Sequence, residues 1–524
     1  MRVFVIVVLG VVLAAGCAST PPQARLPKPP SRAFDPSVET ALKQTFEPAA
    51  RAHDGKSGFR LVSRGIDGLT ARVELIDASQ HTLDVQSYIF RADESGNLIA
   101  LALLRAADRG VRVRVLVDDG DTLAGDEKIL SLSANPGIEV RIFNPLSYRG
   151  HNEMRRAAEV LFHKGRLDYR MHNKMMVADN AAAIIGGRNI GNQYFQIDPA
   201  SQFCDDDVVA AGPVVQRLSA VFDEFWNGDM AVPAPAIDRP DTSERAFSAY
   251  LAALARYRDD LDAKHGAAAP APPHAPLADI ISGRAPLIWA PVQLTFDSPD
   301  KKEVVKGAAP GRLIATAVLE RAKRVDSEFL IFTPYFVPSP DELAALASER
   351  DRHARVRVLT NSLESTPSLA AQSGYMRFRV QLLHLGVELH EVRALLGNTT
   401  GSGEATAISR YGNYGLHAKL YVFDRKSLFV GSMNYDQRSK HLNTEIGLII
   451  DSPQLSQEIA ARFDELTRLE NAYALSDAPA GAGHLVWTSE AAGTVVHRRI
   501  EPARSGWQRL KVKFLSMLPL DREL

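Results

Sequence analysis

Five residues of demanding chemistry occur twice in this chain at one spacing. His172, Lys174, Asp179, Gly186 and Asn189 are matched, 245 residues later in a chain of 524, by His417, Lys419, Asp424, Gly431 and Asn434. Both sets read H-x-K-x4-D-x6-G-x2-N. Residues two apart on a β-strand face the same way, so each His projects with its Lys. Glycine lets the backbone close on a ligand, and the Asn beyond it then reaches the same pocket. Two such sets around one point supply two imidazoles, two ammonium groups and two carboxamides. That inventory suits a phosphodiester: one imidazole attacks phosphorus, the other protonates the leaving oxygen, and Lys and Asn hold the non-bridging oxygens. An isolated H-x-K carries little weight, because a lone His beside a strand is usually a packing or surface residue; an intact repeat reverses that balance. Metal ligation by the two histidines is disfavoured by the lysine two residues from each, since a cation beside a cation site is electrostatically poor. His151, His163, His384 and His441 have no partner at matching spacing and are read as surface or pocket-rim residues.

The elements that position these residues repeat as well. Lys174 to Ala178 and Lys419 to Phe423 are short apolar strands ended by an acid, and a second strand follows each, Ala181 to Ile185 and Ser427 to Val430. Upstream, Ala71 to Ser79 and Leu98 to Arg109 are predicted helices, with Gly110 closing the second. Thr82 to Ile89, Val111 to Val117 and Ile138 to Phe143 are predicted strands. The second half replays this order with helix Leu313 to Arg324, strand Glu328 to Thr333, helix Pro340 to Arg350, strand Ala354 to Leu359, helix Met376 to Leu385 and strand Val387 to Glu391. Strands alternating with helices predict a mostly parallel sheet covered on both faces. Ser87-Tyr88 corresponds to Pro334-Tyr335, and Asp118-Asp119 to Asn361-Ser362, so the duplication covers whole domains. Sites in such sheets lie at the carboxyl ends of strands, where Tyr88 and Tyr335 line the pocket or pack in the core.

The repeated phrase resembles the motif of the phospholipase D superfamily. The resemblance implies an α/β fold of two tandem domains related by pseudo-twofold symmetry, each a mostly parallel sheet flanked by helices, with one active site between them. It also implies a metal-free reaction without a cofactor, and an acid after each motif that orients the His. Aligning Ala211-Gly212-Pro213 with Asp451-Ser452-Pro453 pairs Asp205 with Glu445, with Asp206 and Asp207 as rivals for the first role. The motif aspartates, Asp179 and Asp424, are more often structural in this family. One departure stands out. The second copy reads Gly431-Ser432-Met433-Asn434, the usual form, whereas the first reads Gly186-Gly187-Arg188-Asn189 and lacks the hydroxyl. That form, with Ile190-Gly191-Asn192-Gln193-Tyr194-Phe195 after it, resembles bacterial cardiolipin synthases of the C type. By that resemblance the expected activity is phosphatidyl transfer through a phosphohistidine. Phosphatidylglycerol is then the acceptor, and phosphatidylglycerol or phosphatidylethanolamine the donor. Hydrolysis to phosphatidic acid and nuclease activity are the alternatives.

The ends of the chain bear on location. Residues 1–16 carry Arg2 and then an apolar run too short to span a bilayer comfortably, which reads as a secretory signal. The stretch Leu13-Ala14-Ala15-Gly16-Cys17 resembles a bacterial lipobox, making Cys17 the expected lipid anchor, with Ala18 after it weakly favouring the outer membrane. The expected location is therefore the cell envelope, facing the periplasm. If Cys17 is acylated, Cys204 is left alone and no intrachain disulfide is expected. The formal net charge of −1 argues against nucleic acid as the substrate, since phosphate-backbone binders usually carry a strong basic excess. Both motifs in one chain make a monomer the expected functional unit. The expected organisation is a tether and N-terminal helix over 17–57, a first domain over 58–240, a linker over 241–285, a second domain over 286–480 and a tail over 481–524. The tail mixes apolar and basic residues around Trp507, as in segments that lie in a membrane interface. In the loop from Phe143 to Arg170, Arg149, Arg155, Arg156, Lys164 and Arg166 form a basic cluster that either meets anionic head groups or is simply solvated.

Overall fold

A computed structural model describes residues 28–518, apart from 34, 36, 121–125, 147, 149–153, 155–157, 160–161, 199, 238–239, 266–275, 397–413 and 478–484. Cys17 and the leader lie outside the described residues, as do His151, Arg149, Arg155 and Arg156. Two large sheets carry the two motifs. The first runs, edge to edge, Ile288–Ala290, Ser57–Val62, Asp207–Ala211, Ala182–Gly186, Met175–Ala178, Thr82–Ser87, Arg112–Asp118, Ile138–Phe143 and Ala231–Pro233. The second runs Val292–Phe296, Ile446–Ile450, Ser427–Gly431, Leu420–Phe423, Glu328–Phe332, Arg355–Asn361, Glu388–Val392, Ala472–Asp477, Leu485–Ala491 and Thr494–Arg498.

The α/β architecture and its duplication match the expectation, but the sheets are mixed rather than mostly parallel. Only the three strands joined through helical crossovers are parallel in each: Thr82–Ser87, Arg112–Asp118 and Ile138–Phe143, and their counterparts Glu328–Phe332, Arg355–Asn361 and Glu388–Val392. The motif strands are antiparallel to their neighbours because each motif closes in a tight turn. The central turn residues, Asp179 and Asn180 in one copy and Asp424 and Arg425 in the other, all have positive φ, 51° to 54°. A turn this short joins only antiparallel strands.

Several expected boundaries move. The span 241–285 is not a free linker: helix Pro240–His265 buries Tyr250 and Leu254, and helix Pro276–Ile281 buries Leu277 and Ile280, all in the outer core of the first sheet. The apolar run from Leu287 to Phe296 forms two strands split at Pro291. Its first part pairs with Ser57–Phe59 in the first sheet and its second with Ile446–Ile450 in the second, so the chain changes sheets there. The hairpin of Leu485–Ala491 and Thr494–Arg498 continues the second sheet past the expected limit at 480, leaving helix Gly506–Leu515 as the appended piece. The expected tether also ends early, since Ser31 and Ala33 donate backbone N–H groups to Asn227 and Asp223 of helix Pro213–Asn227.

That helix and its counterpart Pro453–Leu466 fill the space between the sheets. Phe222, Phe225 and Trp226 from one, and Leu455, Ile459 and Phe463 from the other, belong to one continuous core with residues of both sheets. The halves are therefore fused by burial of apolar surface, not merely joined by a connection. Backbone pairing reinforces this: Gln202–Cys204 lies parallel to Tyr414–Leu416, and Met171 bridges Thr444. No helix among the described residues is long and apolar enough to cross a membrane.

Candidate active site

Each motif histidine is fixed at its backbone by the opposite half. The His172 N–H donates to Thr444 O at 2.9 Å, and the His417 N–H donates to Cys204 O at 2.7 Å. The residue before each histidine is pinned by a side chain at the carboxyl end of a parallel strand. Asp118 Oδ2 accepts from Met171 N at 2.8 Å, and Asn361 Oδ1 accepts from Leu416 N at 2.8 Å. These are the two positions that the sequence alignment of the halves placed in correspondence. The His-x-Lys segments lie immediately before the paired strands, which start at Met175 and Leu420. His and Lys do project together: Lys174 Nζ donates to His172 O at 2.6 Å, and Lys419 Nζ to His417 O.

The orienting carboxylates cross between halves. Glu445, in the second half, accepts from His172 Nδ1 at 2.9 Å, while Asp205, in the first half, lies 2.5 Å from His417 Nδ1. Each imidazole thus takes its acid from the other copy. The rival aspartates are occupied elsewhere: Asp206 pairs with Arg462 at 2.5 Å, and Asp207 with Arg72 at 2.8 Å and Arg188 at 3.1 Å. The two acids are held differently. Ser432 Oγ donates to Glu445 Oε2 at 2.5 Å and Ser439 Oγ to Oε1 at 2.8 Å. Asp205 Oδ1 instead accepts the backbone N–H of Asp206 at 2.8 Å.

This difference accounts for the missing hydroxyl of the first motif. A Cβ on Gly187 would lie 2.1 Å from Asp205 Oδ1. The shorter Asp keeps its carboxylate in the volume that the serine side chain uses in the second half, so Gly187 with Asp205 and Ser432 with Glu445 are alternative solutions to one packing problem.

Burial dominates the electrostatics. Both imidazoles are pushed well below the usual histidine range, first by loss of water and then by the flanking Lys174 and Lys419. The same burial raises Glu445 to about 7 and Asp205 to about 6 against the opposing pull of Lys174 and Lys419. Lys419 falls to about 8, with Asp205 opposing the shift, and Lys174 falls well below its usual value. Burial of this kind disfavours the charged forms of both lysines, and an anionic phosphodiester between them would favour those forms.

The motif aspartates lie at the far end of the strands, away from the imidazoles. Asp179 accepts the N–H groups of Gln80, His81 and Thr82 at 2.8–2.9 Å, and Asp424 accepts those of Asp326, Ser327 and Glu328. Each ties the motif turn to the start of the neighbouring parallel strand.

His172, His417, Asn189 and Asn434 line a single cavity of about 590 Å³, with Tyr88 and Tyr335 also in its wall. Asn189 Oδ1 accepts from Ile89 N at 3.2 Å, which leaves its amide nitrogen to donate to a ligand. Tyr88 meets His172 edge-on with ring centroids 5.0 Å apart. Several wall residues carried no signal that sequence reasoning used. Tyr194 meets His417 edge-on at 5.0 Å, and Phe203 stacks on it at 5.2 Å. Tyr194 lies in the stretch that carried the family resemblance. Phe203, two residues before Asp205, had only that spacing as a cue. Asp436 and Arg438 also line the cavity. Asp297 is a buttress: its Oδ2 accepts from Glu445 N at 2.9 Å and from Lys301 Nζ at 2.8 Å. Of the basic cluster, Arg166 is buried and donates to Asn144 Oδ1 and Pro145 O, so it is structural rather than a head-group contact.

Comparison with known proteins agrees with this geometry. A family model described as cardiolipin synthase, PLD-like domain matches residues 73–226 and 316–467. Those two spans contain both motifs and both orienting acids, and the chain belongs to this family of the phospholipase D superfamily. Cardiolipin synthase C of Escherichia coli is 35% identical over 92% of this chain and 99% of its own length. An uncharacterized protein of Helicobacter pylori is 29% identical over the whole of both chains. The solved phosphatidylserine synthase of Haemophilus influenzae superposes with a TM-score of 0.53 at 14% identity, covering 82% of this chain and 92% of that one. That likeness shows the shared fold.

Proposed function

We propose that this chain is a phosphatidyltransferase that forms cardiolipin. The observation that carries the reading is the pair of imidazoles in one cavity, each with its own carboxylate from the opposite half and a lysine beside it. The similarity to cardiolipin synthase C supports the choice of lipid. In the first step, His172 Nε2 attacks the donor phosphorus. A P–N bond forms, the P–O bond to the head-group alcohol breaks, and His417, protonated at Nε2 once the anionic donor offsets the lysines that depress it, gives that proton to the leaving oxygen. In the second step, His417 takes the proton of the incoming phosphatidylglycerol hydroxyl, the new P–O bond forms and the P–N bond breaks. Lys174, Lys419, Asn189 and Asn434 hold the charge on the non-bridging oxygens. Glu445 and Asp205 fix the imidazoles by accepting from Nδ1, which leaves each Nε2 for chemistry. The assignment of His172 as nucleophile follows family habit; the two-fold arrangement of the acids is also compatible with the reverse.

The donor is phosphatidylglycerol, releasing glycerol, or phosphatidylethanolamine, releasing ethanolamine. The enzyme works at a membrane surface, acylated at Cys17 and facing the periplasm. A Cys17→Ser chain that still incorporates labelled fatty acid would refute the anchor.

The test of the activity is a product assay. Purified protein is incubated with mixed phosphatidylglycerol and phosphatidylethanolamine vesicles, and the lipids are resolved by mass spectrometry. Cardiolipin is expected with the intact chain, and turnover about 10³-fold lower with His172→Ala or His417→Ala. Omitting phosphatidylethanolamine identifies the donor. Phosphatidic acid without cardiolipin would make the protein a hydrolase, and substantial activity in both single variants would refute the two-histidine mechanism.

A further inference from the structure

Helix Gly506–Leu515 is appended to the second half by one side only. Val512 is buried, and the segment is tied down by Gln508 Nε2 to Leu363 O at 2.7 Å, Arg504 Nε to Glu364 O at 2.6 Å and Arg377 Nη2 to Ser516 O at 2.6 Å. Its outer side carries Trp507, Leu510 and Phe514, which are 63%, 56% and 62% exposed, with Met517 70% exposed just beyond. At about 100° per residue these form one narrow stripe opposite Val512, with Lys511 on one flank and Lys513 on the other. Apolar residues this large and this exposed in one row are not what a solvated surface carries.

Charge and position point to one occupant. From Thr494 to Leu518 the chain has six basic residues against a single acid, Glu501, although the whole protein is near neutral. The helix packs on helix Leu369–Met376, whose Ala370 and Ala371 line the active-site cavity. The carboxyl ends of the parallel strands lead to this cavity through Tyr88 and Tyr335. Leu395, 47% exposed, follows the parallel strand Glu388–Val392.

We propose that the face bearing Trp507, Leu510, Phe514 and Met517 docks on an anionic lipid bilayer and seats the cavity mouth on the membrane. The stripe enters the acyl boundary while Lys511, Lys513 and Arg504 meet the phosphates. The inference deepens the lipid-substrate reading above and rests on it for its purpose, though not for its first readout.

The full-length chain is mixed with phosphatidylglycerol vesicles bearing brominated acyl chains, and tryptophan emission is followed. Of the four tryptophans, Trp226 and Trp487 are buried and Trp289 is half-buried and stacked on His53, so a quenched and blue-shifted component reports Trp507. Vesicle association alone is not the readout, because an acylated Cys17 would produce it. Quenching by phosphatidylglycerol vesicles, weakened by salt and lost in Trp507→Phe, is the expected result. The double variant Trp507→Ser/Phe514→Ser should lower cardiolipin formation on vesicles about tenfold and leave turnover of soluble bis(4-nitrophenyl) phosphate unchanged. Unquenched Trp507 in the intact chain overturns the proposal, as does full vesicle turnover in the double variant. Quenching without any phosphodiester turnover would refute the functional reading and support the docking surface.

Discussion

The exchange of Gly187-Asp205 for Ser432-Glu445 yields a test that only the packing relation predicts. Gly187→Ser places a Cβ 2.1 Å from Asp205 Oδ1, where ordinary contact needs more than 3 Å, so the carboxylate must move by about 1 Å. Asp205 lies 2.5 Å from His417 Nδ1 and cannot move without turning that ring. Misplacement on this scale is expected to cost about 10²-fold in turnover. Asp205→Glu alone drives a carboxylate one methylene longer into the same ring, and its effect should be similar. In the double variant Gly187→Ser/Asp205→Glu the longer acid can fold back onto the new hydroxyl, as Glu445 does onto Ser432. Turnover should then recover at least about tenfold over either single variant; since independent losses would multiply to about 10⁴-fold, that is a coupling of about 4 kcal/mol or more in the transition state. Full recovery is not expected, because Ser439, which also holds Glu445, has Tyr194 at its counterpart in the first half. The assay is cardiolipin formation by mass spectrometry, with turnover of bis(4-nitrophenyl) phosphate as a second readout independent of lipid. A double variant no better than the product of the two single losses would refute the compensation.

Other perturbations read separate parts of the structure. Asp179→Ala removes an acceptor from three backbone N–H groups and should lower stability by about 1–3 kcal/mol in urea titration, with turnover per folded molecule little changed. Lys419, lowered to about 8 by burial, loses its charge as pH rises through that value, so the pH–rate profile should fall above about pH 8; a Lys419→Arg variant that keeps activity should lose this limb. Glu349 is buried, with no hydrogen-bond partner at either carboxylate oxygen, and burial raises it to about 8. A carboxyl raised above its unfolded value contributes stability that is complete below about pH 4.5 and lost as pH rises to about 8. Glu349→Gln should therefore gain on the parent chain by about 2–4 kcal/mol between those limits, and parallel stability–pH curves would refute it.

Much of this was legible in the sequence because the duplication supplies its own alignment. The two histidines, their lysines and the acids Asp205 and Glu445 were all found by matching one half to the other. The Asp118 and Asn361 positions that pin the motifs were paired the same way. What alignment cannot give is which partner meets which in space. Corresponding residues need not touch, and here each acid crosses to the other copy. The alternation of strands with helices suggests a mostly parallel sheet because periodicity gives strands and helices but not strand direction. That direction was set by the two-residue turns at Asp179-Asn180 and Asp424-Arg425. The helix Pro240–His265 is hidden for a different reason: its sequence is weakly amphipathic and it is held by a few residues such as Tyr250 and Leu254, too few for a clear periodic signal.

The crossed carboxylates also bear on why both motifs must sit in one chain. A single half would contain an imidazole and a lysine, but the acid that orients the imidazole would be missing, and so would the backbone carbonyl that fixes its N–H. The helices Pro213–Asn227 and Pro453–Leu466 would then expose the core they now share. Two copies of one half could satisfy these needs, but only with identical acids on both sides. Fusion removes that constraint. It lets one imidazole be held by a glutamate braced by two hydroxyls and the Asp297–Lys301 pair, and the other by an aspartate braced by backbone beside a glycine. The two steps of phosphatidyl transfer ask different things of the two rings: one must stay bonded to phosphorus while the other passes a proton twice. An enclosure that is symmetric in topology and unequal in its acids can assign those tasks without changing the fold.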